Sequence, residues 1–106
     1  MKHLAISLAV LMLVWAGDTK AKNFYQSGNK LFAECTSTDP TDAIACMNYI
    51  SGVVDTSSLV CPPMTVTRGQ LKDIVTKYLK EKPATRHWSA TLLVQDSLVA
   101  VFPCNK

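Results

Sequence analysis

Apolar residues along this chain recur at two kinds of spacing. From Leu4 to Val14 they run almost without interruption. Beyond residue 27 they return every three or four positions, the signature of helices that bury one side. Four such segments are predicted. The first covers about Ser27 to Glu34, with Ser27-Gly28-Asn29 as a capping region and Leu31, Phe32 and Cys35 on one side. Ser37-Thr38-Asp39-Pro40 follows as a turn, because proline disfavours helix before it and suits a helix start. The second helix is predicted over about Thr41 to Ser58. Cys46, Ile50, Val53 and Val54 repeat at helical spacing there, as do Ala43, Met47 and Ile50, while Asn48, Ser51 and Asp55 form a wet face. Gly52 lies inside it at a cost of about 1 kcal/mol relative to alanine. That cost predicts close approach of a neighbouring helix.

Cys61-Pro62-Pro63 makes a rigid, extended break. Thr67-Arg68-Gly69-Gln70 then fits a capping box, in which a threonine and a glutamine three residues on satisfy each other's backbone amides. Leu71, Ile74, Val75, Tyr78 and Leu79 follow as a clean stripe. Lys72, Asp73, Lys77 and Lys80 face water, and Asp73 with Lys77 forms an i,i+4 pair. Pro83 ends this third helix, and Thr85 is expected to cap a fourth over about Arg86 to Val101. Its apolar residues, among them Trp88, Leu92, Leu93, Val94, Leu98, Val99, Val101 and Phe102, surround most of the helix. Such a helix is buried centrally or in a subunit interface. The β-rich stretch Leu98 to Phe102 leaves a short strand open as the alternative. The fold class expected is all-α, a small four-helix-type domain.

The opening run sets the compartment. Met1-Lys2-His3 is a basic start, Leu4 to Val14 an apolar stretch, and polarity returns through Trp15 to Ala21. This is the layout of a cleavable secretory signal. Cleavage is expected after Ala21, with Ala16 as the second choice, leaving residues 22–106 as one domain. A membrane-spanning helix needs about 20 apolar residues, more than this run supplies. No cysteine lies near the cut, which argues against a lipid-anchored form. The mature protein is therefore expected outside the cytoplasm and off the membrane.

Cysteine usage agrees with that compartment. All four cysteines (Cys35, Cys46, Cys61 and Cys104) fall in the mature part, and an even count in a short exported chain implies disulfides. A zinc site is the alternative, but no CxxC pair exists and His87 is the one histidine after residue 21. Helix length narrows the three connectivities. If residues 46–58 are helical, they span about 18 Å. The three residues to Cys61 recover at most about 10 Å of that. A disulfide holds its Cα atoms within roughly 7 Å, so a 46–61 bond has no room, and 35–61 is awkward for the same reason. Cys35–Cys46 and Cys61–Cys104 remain.

Charge and chemistry mostly exclude. The whole chain carries 11 Lys+Arg against 8 Asp+Glu; losing Lys2, Lys20 and Asp18 leaves 9 against 7. That near-neutral balance offers no nucleic-acid footprint and no basic membrane-binding patch. No Gly-x-Ser-x-Gly elbow and no phosphate-cradling glycine loop occurs. Asp39 with Asp42, and Asp55 with Asp96, are possible carboxylate pairs, but such residues usually cap helices or sit in solvent. His87 reads best as a ring that caps or packs, with a ligand or pH-sensing role as the alternative. Lys77, Lys80, Lys82 and Arg86 form a basic cluster, a solvated face that can also steer an acidic partner. No catalytic residue, cofactor or metal is expected, and the protein is expected to act by binding.

With the elements placed, the residue order resembles the Rap/Tai family of bacterial immunity proteins. Ser27-Gly28-Asn29, Leu31 and Cys35 carry it first, then Cys46, Tyr49, Gly52 and Asp55 at every third residue. Cys61-Pro62, Val66, Gln70, Val75 and Tyr78-Leu79 follow, then Pro83, His87, Ala90, Leu98 and the closing Phe102-Pro103-Cys104. The likeness implies a periplasmic helical protein that protects a bacterium from a type VI secretion effector. The effectors best described are peptidoglycan amidases, whose active-site groove such proteins block, commonly as homodimers. The matched residues are mainly scaffold, so they indicate the fold more than the contact surface. The contact surface is expected in the segment Leu59 to Arg68, stiffened by two prolines and a disulfide. Val60, Pro62, Pro63, Met64, Val66 and Arg68 are its candidate partner-binding residues, since preorganised loops bind at lower entropic cost. The rival within the segment is a mere connector with Met64 tucked inward. The rival function is a small periplasmic stress chaperone that binds unfolded clients, against which the two disulfides argue.

Overall fold

Three helix starts are written in the local sequence, and each is built as its residues dictate. In the computed structural model, which describes residues 26–105, Ser27 caps α1 (Gly28–Thr36), its hydroxyl accepting from the Lys30 amide at 3.2 Å. Asp39 caps α2 (Pro40–Thr56) by accepting from the Thr41 amide at 2.9 Å, with Pro40 in the first turn. Thr67 caps α3 (Arg68–Lys80) through the complete reciprocal box. Its hydroxyl accepts from the Gln70 amide at 3.1 Å, and the Gln70 side-chain carbonyl accepts from the Thr67 amide at 2.7 Å. Each cap satisfies an amide that the first turn of a helix would otherwise leave unpaired.

The fourth helix departs from expectation. α4 runs Ala90–Val99, starting four residues later than the Arg86 expected and ending two residues before Val101. Thr85 does not cap it. Residues 82–88 instead fold into successive turns, with the Thr85 amide donating to the Lys82 carbonyl at 3.3 Å and Trp88 to Thr85 at 2.9 Å. The cause lies elsewhere in the chain. Ser89 pairs antiparallel with Ser27. The Gly28 amide donates to the Trp88 carbonyl and the Ala90 amide to the Gln26 carbonyl, both at 2.8 Å. This pairing holds Ser89 out of the helix and gives the first amide of α4 a partner, while no side chain caps the helix. Past Val99 the chain closes in a turn, the Phe102 amide donating to the Leu98 carbonyl at 2.7 Å. The Leu98–Phe102 strand does not form, and the described residues contain four helices and no strand.

Every helix touches the other three. The core is filled by Leu31 and Cys35 of α1, Cys46, Ile50 and Val53 of α2, Leu71, Val75 and Leu79 of α3, and Ala90, Leu93, Val94 and Leu98 of α4. Both disulfides pair as the helix lengths require, Cys35–Cys46 with Cα atoms 5.1 Å apart and Cys61–Cys104 at 4.9 Å. The first clips α1 to α2. The second ties the chain's end to the loop before α3. The signal segment expected over residues 1–21 lies outside the described residues. Among these, no helix is long and apolar enough to cross a membrane.

The glycine roles are exchanged. Gly52 is exposed, and a Cβ built on it meets nothing within 4 Å, so the expected close helix approach is absent. Gly28 carries that role instead. It is buried, and an added Cβ would stand 2.5 Å from the Arg86 carbonyl oxygen while colliding with the Leu93 side chain.

Candidate functional site

The loop joining α2 to α3 is tethered at both ends and along its length. Ser57 caps the end of α2, and its hydroxyl accepts from the Leu59 amide at 3.1 Å while reaching Gln95 of α4 at 3.4 Å. Next, Val60 pairs antiparallel with Pro103. The Cys61 amide donates to the Phe102 carbonyl at 2.8 Å and the Cys104 amide to the Leu59 carbonyl at 3.3 Å. The Cys61–Cys104 bond locks the same two strips of chain covalently.

From that anchor the chain leaves as Pro62-Pro63 and reverses in a tight turn, the Val66 amide donating to the Pro63 carbonyl at 3.0 Å. Met64 and Thr65 are the tip. Arg68 ties down the far side, its Nε donating to the Ser51 hydroxyl at 3.1 Å and an Nη to the Asn48 side-chain carbonyl, both on α2.

The six candidate residues therefore occupy different depths. Val60 is 4% exposed and belongs to the core, and half-buried Val66 packs against it. Pro62 is half-buried and Pro63 exposed. Met64 is not tucked inward: its side chain is fully exposed at the tip of the turn. Arg68 is exposed, with its guanidinium committed to α2. Three of these six thus form a ridge of Pro62, Pro63 and Met64 above two apolar supports. The bonds from Arg68 to Asn48 and Ser51 had no signal in the sequence, since they join residues 20 and 17 positions apart. Nor did the part played by Phe102 and Pro103, beyond their nearness to Cys104.

Several of the remaining chemistry-bearing residues have structural partners. Asp39 caps α2, and Asp42 accepts from the Ser37 hydroxyl at 2.8 Å. Asp96 acts on Tyr78: burial first, and the Asp96 charge second, raise the Tyr78 phenol above its usual value of 10.0. His87 is exposed in the turn before α4, edge-on to Trp88 with ring centres 6.4 Å apart. Within the basic cluster, Lys82 lies over the Tyr78 ring at 5.5 Å and Arg86 over Phe32 at 4.4 Å. An open groove of about 350 Å³ runs between α3 and α4, lined by Ile74, Tyr78, Ala100 and Val101, with Lys77 and Glu81 at its side. Among the described residues, no group of His, Cys, Asp and Glu is placed to hold a metal ion.

These features define a small, doubly stapled helical domain with a tethered apolar turn exposed between α2 and α3. Residues 27–104 match the family model of the Rap1a immunity proteins. The chain belongs to that family, in agreement with the Rap/Tai likeness of its residue order. No curated protein matches it. Membership points to an immunity protein directed at a secreted effector, in a family of inhibitors.

Proposed function

We propose that the protein is a periplasmic immunity protein that inhibits a type VI secretion peptidoglycan amidase by occluding its active site. The observation that carries this reading is the turn Pro63–Val66, which holds Met64 fully exposed on a loop fixed by a disulfide, two prolines and main-chain bonds to the C-terminal tail. An apolar knob on a preorganised loop is suited to enter a groove, because little conformational freedom remains to be lost on binding. Pro62, Pro63 and Met64 make the contact in this reading, Val60 and Val66 support them from beneath, and Arg68 fixes the loop on α2.

On the same reading residues 1–21 direct export and are removed, and residues 22–106 are the mature domain. The protein then waits where the effector arrives, in a compartment that also forms its disulfides. It catalyses no reaction and works as a homodimer. In support of the dimer, two large apolar side chains near the start of α4, Trp88 before it and Leu92 within it, are each 46% exposed.

The test mixes mature protein with the amidase encoded beside it and follows cleavage of peptidoglycan peptide stems. Cleavage is expected to stop at stoichiometric protein. Met64→Asp, which alters no internal contact, is expected to weaken inhibition by about tenfold or more, as loss of an interface anchor does. Unchanged cleavage with excess wild-type protein overturns the proposal.

A further inference from the structure

Among the described residues, Arg86 is a cation that folding leaves unfinished. Arg86 lies over the ring of Phe32 with its guanidinium carbon 4.4 Å from the ring centre. Its Nε is sealed from solvent and meets no acceptor. Among the described residues, no carboxylate or carbonyl accepts from any of its side-chain N–H groups. A buried unpaired donor is costly, and native structures keep few of them. The arrangement is also held firmly. The Arg86 carbonyl presses on Gly28, so that not even a Cβ fits between them, and the pairing of Gln26–Gly28 with Trp88–Ala90 fixes the backbone on either side.

The chemistry of the ligand follows from what remains open. Arg86 as a whole is only half-buried, so with Nε covered the two outer nitrogens are what it can offer, end-on, to a planar oxyanion. Arginine stacked on an aromatic ring is partly desolvated already and recognises carboxylates in two-point fashion. Lys82, parked over Tyr78 in the same turn region, adds a second positive charge. Glu34, the acid on the Phe32 helix, is occupied by the Gln26 side-chain amide at 2.6 Å.

We propose that Arg86, seated on Phe32 with Lys82 in the same run of turns, is a carboxylate-recognition point for an acidic segment of a protein partner. That the partner is the inhibited effector rests on the function proposed above; the carboxylate chemistry does not. This surface lies apart in sequence from the Met64 loop and gives the protein a second, polar contact. Its weight falls on orientation and encounter, as charged contacts at an interface generally do.

The experiment titrates the mature, oxidised protein with a tetraglutamate peptide and follows the Arg86 side-chain N–H and the Phe32 ring by NMR. Saturable shifts of both are expected at millimolar peptide. Arg86→Lys keeps the charge and loses the planar fork, and is expected to weaken the response by about tenfold or more. Phe32→Leu keeps the charge and removes the aromatic seat, with weakening in the same direction. No saturable shift, or a shift undiminished in Arg86→Lys, overturns the proposal. An equal response to inorganic phosphate at the same concentration also overturns it, since the site would then be a general anion seat. Amidase inhibition by the wild type is scored separately, so either proposal can fail alone.

Discussion

At the scale of single residues, Gly28 and Gly52 show why a residue's role depends on its neighbours. Both sit in helices, and both cost backbone entropy relative to alanine. Only Gly28 returns something for it, because the Arg86 carbonyl and Leu93 occupy the space a side chain would need. Gly28→Ala is therefore expected to destabilise by about 1–3 kcal/mol, the range of an overpacked core. Gly52→Ala, with nothing near its Cβ, is expected to stabilise by up to about 1 kcal/mol. Urea unfolding of the two variants checks both signs, and a destabilised Gly52→Ala would contradict the open surface described for it. The sequence spacing that singled out Gly52 contained no information on what faces it.

Tyr78 adds a pH dependence at the same scale. Burial, and then the Asp96 charge, favour the neutral phenol in the folded state and raise its pKa above the unfolded value of 10.0. The native state thus holds this proton where the unfolded chain has released it. Stability is unaffected below pH 10 and falls as pH rises from there toward the folded pKa. Ultraviolet titration is expected to show a tyrosine ionising above pH 10 that disappears in Tyr78→Phe. The same variant is expected to lose less stability in alkali, and Asp96→Asn to lower the transition without abolishing it.

At the scale of elements, the sequence was most readable where a helix end is made by residues close together in the chain. Ser27, Asp39-Pro40 and the Thr67–Gln70 box act within three residues of themselves, so their chemistry was legible without any tertiary information. The start of α4 was not. Thr85 looks like a cap locally, but Trp88 and Ala90 find their backbone partners in Gly28 and Gln26, about sixty residues earlier. A turn between Pro83 and Trp88 costs no buried apolar contact, since these residues are exposed or half-buried. Long-range pairing therefore overrides the local signal. The loop between α2 and α3 lies between these cases. Its prolines and cysteine announced stiffness, whereas the inward turn of Val60 and the outward turn of Met64 depend on Pro103 and the Pro63–Val66 bond.

At the scale of the whole molecule, stability and the proposed contact surface depend on the same covalent bond. A domain of this size buries only about 60–65% of its unfolded surface, which leaves a thin margin without staples. Loop-entropy estimates assign about 3 kcal/mol to closing the short Cys35–Cys46 loop and about 4 kcal/mol to the longer Cys61–Cys104 loop. The two bonds differ more in what they hold than in these figures. Cys35 and Cys46 are buried between α1 and α2, far along the chain from Met64. Cys61 stands three residues from Met64 and fastens it to the tail, beside the Val60–Pro103 pairing. Replacing Cys35 and Cys46 together by alanine is expected to lower stability yet leave inhibition intact wherever the variant is folded. Replacing Cys61 and Cys104 is expected to lower stability somewhat more and also to weaken inhibition while the helices remain formed, because the loop must then be ordered on binding. Amidase inhibition measured beside circular dichroism, at a temperature where both variants are helical, separates these outcomes. Equal inhibition by the two variants would mean that the rigidity of the Met64 turn is not what the effector meets.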